Sequence, residues 1–174
     1  MFSTLMFSMD ISIKYSAVGE FMANTVTAST LLTNSFKTIY DILTNGTNGV
    51  SDPASRSLAR TKWVMPSFPD EYGSDFPDYP IITIEADLNY NTDVLAKGAR
   101  DVLITFSISI FAKKAQYLDS VCDNIQSILN TYQSTSETNK IFHPTMTGTT
   151  TVTHFRDKDK IHTRTMYITY RWRG

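Results

Sequence analysis

The chain has 174 residues, of which 41% are hydrophobic, 12% aromatic and 19% charged. This length suits one domain that buries roughly 70% of its unfolded surface, and the composition excludes intrinsic disorder. Sixteen basic and seventeen acidic side chains give a net charge of -1, which argues against a general grip on nucleic acid, since such proteins usually carry a basic excess. The single cysteine excludes a disulfide framework and a multi-cysteine zinc site.

Residues 1–28 are predicted to form an N-terminal arm or an extra strand, ahead of a single domain over residues 29–174. Ile11, Ile13 and Tyr15 alternate with polar residues, which is the pattern of a short strand. No basic region precedes the apolar opening, so a secretory signal is not expected. No stretch approaches the ~20 apolar residues of a membrane helix. We therefore expect an intracellular protein without a membrane partner.

The first strong pattern is an amphipathic helix from about Thr30 to Asn45, followed by a loop rich in Asn, Gly, Asp and Pro. Residues 63–65 form a short extended piece. Prolines then make residues 66–80 a loop, because each proline removes a backbone donor. The helical face expected to be buried carries Leu32, Phe36, Ile39 and Leu43.

The middle of the chain predicts two strands and a second helix. A strand is expected over residues 81–88 and a longer one over 102–111. The longer strand contains no charge or proline, so it is either an edge that takes a partner strand or a central strand paired on both sides. A second helix is expected over 114–132, ending in a polar loop at 134–139. Its apolar stripe comprises Leu118, Val121, Cys122, Ile125, Ile128, Leu129 and Tyr132.

Two runs rich in Thr and aromatic residues close the chain, at 149–155 and 161–172, and a charged tip at 156–160 joins them as a hairpin. Consecutive strands with short connections are expected to pair antiparallel. Two amphipathic helices then need one sheet face to bury against. The predicted fold is therefore α+β, with an antiparallel sheet of four or five strands and two helices packed on one face.

Few residues point to chemistry. A hairpin that turns symmetrically about Lys158 would set His154 opposite His162, where paired imidazoles could hold a metal or simply form a polar cross-strand pair. Glu85 and Asp87 share one strand face and are expected to face solvent. Cys122 lies on an apolar stripe, which favours a buried inert thiol over a nucleophile. No glycine-rich phosphate loop and no Gly-x-Ser-x-Gly elbow occurs.

One block of the sequence resembles a known family. Trp63-Val-Met-Pro-Ser-Phe-Pro-Asp70, followed after a short loop by Tyr79-Pro-Ile-Ile-Thr-Ile84, is similar to the tail terminator or tail-completion proteins of tailed phages and tailed archaeal viruses. Members commonly carry Pro-x-x-Pro before a Tyr-Pro that opens the next strand. The long strand, the second helix and the closing hairpin follow in the same order, so the resemblance covers roughly residues 30 to 172.

The resemblance implies a structural virion protein with no enzyme activity, no cofactor and no metal. It implies a ring, usually of six copies of the chain, that caps the completed tail tube and presents a surface to a neck or head–tail connector protein. DNA would pass through the lumen only as cargo. The protein would assemble in the host cytoplasm and reside in the tail or neck of the virion.

Aromatic, other apolar and basic residues in or next to the proline-rich segment and near the C-terminus are predicted to contact a neighbouring copy or the tube. Packing of the segment back on its own core is the competing interpretation. Two other functions stay open: another ring-forming neck, connector or tube protein, and a small metal-dependent enzyme that uses the two histidines. The predicted interface residues are Trp63, Met65, Pro66, Phe68, Pro69, Tyr72, Phe76, Tyr79, Arg156, Lys158, Arg171 and Trp172.

Overall fold

The computed structural model describes residues 26–69, 76–89, 101–156 and 159–173. The fold within these ranges is α+β, as predicted. A short 3-10 turn at Arg60–Lys62 precedes the first strand. The helices and strands are α1 (Leu31–Thr44), β1 (Val64–Met65), β2 (Ile81–Asn89), β3 (Asp101–Ala112), α2 (Ala115–Thr131), α3 (Gln133–Thr138), β4 (Ile141–Arg156) and β5 (Asp159–Arg173).

The strands in these ranges form one sheet in the order β1-β2-β3-β5-β4. Antiparallel pairs join β2 to β3, β3 to β5 and β5 to β4, which confirms the closing hairpin. β1, however, runs parallel to β2, so the expectation that consecutive strands pair antiparallel is wrong at this edge. Parallel neighbours need a connection of about a dozen residues or more, and the proline-rich segment at 66–80 is long enough to provide it.

β3 lies at the centre of the sheet. It pairs with β2 on one side and with β5 on the other, so the interpretation of this strand as an edge is wrong and the central one is confirmed. Its predicted alternation is confirmed too. Residues on one face are buried beneath the helices, and those on the other are half-buried, with hydroxyl side chains in the middle at Thr105, Ser107 and Ser109. The buried positions are Val102, Ile104, Phe106, Ile108, Ile110 and Ala112.

The helices α1 and α2 pack side by side on one face of the sheet. Every residue of the predicted α2 stripe is buried. In α1 the predicted face is buried at Ile39 and Leu43, but Leu32 is 43% exposed. The buried stripe instead includes Leu31, Ser35 and Thr38. Thr38 can occupy the interior because its hydroxyl donates to the Asn34 carbonyl at 2.8 Å. A buried threonine satisfied within its own helix is not visible in an apolar pattern.

α3 occupies a segment that was expected to be a polar loop. The side chain of Gln133 donates to Glu137 one turn later at 2.9 Å, which supports the short helix. Its end anchors the start of the described chain: the Val26 amide donates to the Asn139 carbonyl at 3.3 Å. The Trp172 indole donates to the Val26 carbonyl at 3.2 Å. Val26 thus belongs to the core, three residues before the predicted domain start.

The predicted extra strand around Ile13 lies outside the described residues. No helix in the described ranges is both long and apolar enough to span a bilayer.

Tyr170 in β5 provides a test of the core. Its ring meets Phe106 edge-on at a centroid distance of 5.7 Å, and burial raises the pKa of its hydroxyl. That hydroxyl has no hydrogen-bond partner within the described part of the chain, and the neighbouring Ser136 hydroxyl donates to the Tyr132 carbonyl at 3.4 Å.

Leaving a buried hydroxyl unsatisfied costs about 1–3 kcal/mol. We therefore expect Tyr170→Phe to leave the free energy of unfolding unchanged or to raise it by about 1 kcal/mol, because the ring contact with Phe106 is kept. Urea unfolding followed by tryptophan fluorescence measures this. A fall of about 1 kcal/mol or more would show that the hydroxyl is satisfied.

Candidate assembly surface

The sheet face that carries no helix has an uncharged centre lined with hydroxyl groups, which we call the hydroxyl face. It is built from alternate residues of β3 and β5. The Ser109 and Thr165 hydroxyls hydrogen-bond across the strands at 2.8 Å, and those of Thr105 and Thr169 do so at 3.1 Å. In each pair one hydroxyl donates to the other, and the surface they form is polar and half-buried.

An aromatic cluster covers one end of the hydroxyl face. The ring centroids of Phe68 and Phe111, the latter at the end of β3, are 4.6 Å apart. The ring centroids of Phe68 and Phe76 are 5.9 Å apart, and so are those of Phe76 and Tyr79. Ile81, the register partner of Phe111, is fully buried. The proline-rich segment therefore packs on its own sheet through Phe68, which is the competing interpretation of this segment.

Arg56 ties the ends of the proline-rich segment together. Its Nε lies 2.6 Å from the Asp52 carboxylate, and its guanidinium lies 5.3 Å from the centroid of the Trp63 ring. The remaining donors go to the carbonyls of Asp78 and Pro80, the latter at 3.0 Å. Sequence reasoning missed this residue, although the Asp52–Arg56 spacing of four was the available signal.

β4 is the long edge of the sheet, whereas the opposite edge, β1, has two residues. Within the described ranges no strand pairs with the outer side of β4. Residues 149–155 contain no Asp, Glu, Lys, Arg or Pro, the residues that usually protect an edge. Val152 is 49% exposed and Phe155 is 77% exposed. This edge, together with the adjoining hydroxyl face, is the candidate assembly surface.

Two of the predicted interface residues offer no surface. Trp63 and Trp172 are 1% and 3% exposed and belong to the core of the chain itself. In the sequence, a tryptophan in a short extended piece or near the C-terminus looks like an interface residue. Both indoles instead pack within the core between the helices and the sheet. Their assignment to an interface is therefore corrected.

The other predicted interface residues divide by exposure. Pro66 and Arg171 are exposed, and a partner can reach them. Tyr72 and Lys158 lie outside the described residues, and for Arg156 only the strand backbone is described. Half-buried members are Met65, Phe68, Pro69, Phe76 and Tyr79.

The two histidines do not face each other. In the hairpin His162 pairs with Thr153, and His154 pairs with Ile161. The hairpin thus pivots between residues 157 and 158 and not on Lys158, and this slip of one residue places the imidazoles on opposite faces of the sheet. The predicted pairing is wrong. The described ranges contain no cluster of three or more His, Cys, Asp or Glu side chains suited to a metal.

The remaining candidate groups are the Cys122 thiol and the carboxylates of Glu85 and Asp87. Cys122 is buried in α2, and burial raises the pKa of its thiol even though Arg164, paired with Asp119, acts in the opposite direction. A raised pKa leaves less of the nucleophilic thiolate at neutral pH. Glu85 and Asp87 are exposed on β2, as expected.

Two surface hollows, of about 360 and 440 Å³, flank Arg60. The Arg60 guanidinium is already engaged, because it donates to the carbonyls of Val50 and Gly46, each at 2.7 Å. Asp52 and Arg56, in the smaller hollow, pair with each other. The charges at these hollows thus hold loops in place.

The chain matches no protein-family model and no curated protein. Its function is therefore inferred from its own surface and from the resemblance carried by residues 63–84.

We expect Arg56→Lys to destabilise the fold by about 2 kcal/mol, because a single ammonium cannot make the divergent contacts of a guanidinium. The lost contacts run to Asp52, Asp78 and Pro80. The midpoint of urea unfolding measures the loss. An unchanged midpoint would show that Arg56 does not hold the proline-rich segment.

Proposed function

We propose that the protein is a structural component of a virus tail: a tail terminator, a ring of copies that caps the tail tube and joins it to the neck. The observation that carries this proposal is the uncharged, exposed edge of β4. An open edge presents unpaired backbone donors and acceptors, and joining another chain there satisfies them.

A closed ring requires each copy to present two different surfaces that fit each other. The β4 edge lies at one side of the sheet, and β1 lies at the other. Surfaces at opposite sides of a subunit suit head-to-tail contacts around a circle. The near-neutral net charge of -1 fits partners that are themselves proteins.

The resemblance supplies the remainder of the proposal. A ring of six, the tail tube as one partner, the neck or connector protein as the other, and DNA as passing cargo all follow from the likeness of residues 63–84 to tail terminators. The described chain contributes an α+β domain whose strand and helix order agrees with that likeness.

Blocking the edge with a charge tests the proposal. Val152→Lys places an ammonium on the β4 edge, where lysine protects natural edges from pairing. Leu32→Lys is the matched control, because Leu32 is exposed to a similar degree, 43% against 49%, but lies on α1 in the helix layer.

We expect the unaltered chain and Leu32→Lys to form rings near six times the 19.7 kDa of one chain, alone or on added tail tubes. Val152→Lys should weaken assembly at least tenfold, that is by about 1.4 kcal/mol. Light scattering and electron microscopy report the mass and the rings. Equal assembly of all three proteins would contradict the role of β4.

A further inference from the structure

The β4 edge needs a strand of several residues to cover it, and the described chain has no free strand of that size. Regular pairing of β4 with β5 runs from Thr149 to Arg156 without a bulge, so this stretch is straight enough to accept a neighbour. The opposite edge of the sheet cannot supply one. β1 has only two residues and is followed by Pro66, which has no amide hydrogen to donate.

The N-terminal segment is suited to this edge. Residues 11–15 alternate Ile, Ser, Ile, Lys and Tyr, the pattern of a short strand. Their one charge, on Lys14, meets no like charge in residues 149–155. In a strand, the apolar side chains of Ile11, Ile13 and Tyr15 share one face. Depending on the pairing register with β4, they can contact the exposed Val152 or Phe155.

The length and departure point of the segment permit it to leave its own subunit. The described chain begins at Val26, held against Asn139 just before β4. Residues 16–25 can span about 33 Å when extended, which exceeds the roughly 19 Å across the four inter-strand spacings of the sheet. The segment therefore has the reach to cross to a neighbouring sheet.

We propose that residues 11–15 of one copy add as a strand to residues 149–155 of β4 in the next copy. This inference rests on the proposed ring, because it names the head-to-tail contact that would close it. Each subunit donates one strand and accepts one, so the exchange leaves no copy in a closed ring with an open β4 edge.

Hydrogen exchange measured on the full-length chain tests this contact. Ile13→Pro removes an amide donor and disfavours pairing in the middle of the donated strand, whereas Ile13→Val keeps both the donor and a β-branched side chain. At concentrations where rings form, we expect amides in 149–155 to exchange at least tenfold faster in Ile13→Pro than in the unaltered chain. Ile13→Val should match the unaltered chain, and amides of β3 should be the same in all three.

Dilution separates the two possible sources of the strand. Protection of residues 149–155 should disappear as rings dissociate. Protection that persists in monomers would assign the strand to the same chain and overturn the exchange between copies. Rings that form with 149–155 equally exposed in all three proteins would overturn this inference while leaving the proposed ring standing. Absence of rings, alone and on tail tubes, would refute the proposed function itself.

Discussion

The two-residue alternation of β3 is the constraint on which the other elements depend. Because β3 pairs on both sides, its register sets those of β2 and β5: Ile108 lies between Ile84 and Met166 on the buried face. A shift of one residue would carry Ser107 or Ser109 beneath the helices and expose the isoleucines. The same alternation places hydroxyl side chains on the second face, which carries no helix and where these hydroxyls pair with one another. A central strand with one apolar and one hydroxyl side therefore yields a sheet that is covered on one face and accessible on the other.

The features predicted correctly from the sequence are those with a long, uninterrupted period. β3 and α2 each carry an apolar pattern over many residues, and the residues in both patterns are buried between the helices and the sheet. Predictions that depended on a single position fared worse. The centre of the hairpin lies half a residue from the predicted position, which separates His154 from His162. The buried stripe of α1 includes Thr38, a polar residue whose hydroxyl is satisfied within its own helix. The parallel pairing of β1 could not be read from the sequence, because the course of residues 66–80 determines it.

The candidate surface could be predicted only in part, because aromatic residues serve a core and an interface equally well. Phe68 covers Phe111, and Trp63 lies beneath the Arg56 guanidinium. Both sequence features therefore stabilise the subunit itself. What the packing leaves for other molecules is the β4 edge, whose significance depends on its place in the sheet order. Composition alone does not distinguish a threonine-rich edge strand from a threonine-rich internal one.

We propose that this protein acts by contacting copies of itself and a tubular scaffold, without making or breaking covalent bonds. Electron microscopy of purified virus particles, with an antibody raised against this chain, tests it most directly. We predict that the label lies at the junction between tail and head, in one ring per particle. Particles that lack the chain altogether, with the protein recovered only as separate single molecules, would contradict the claim.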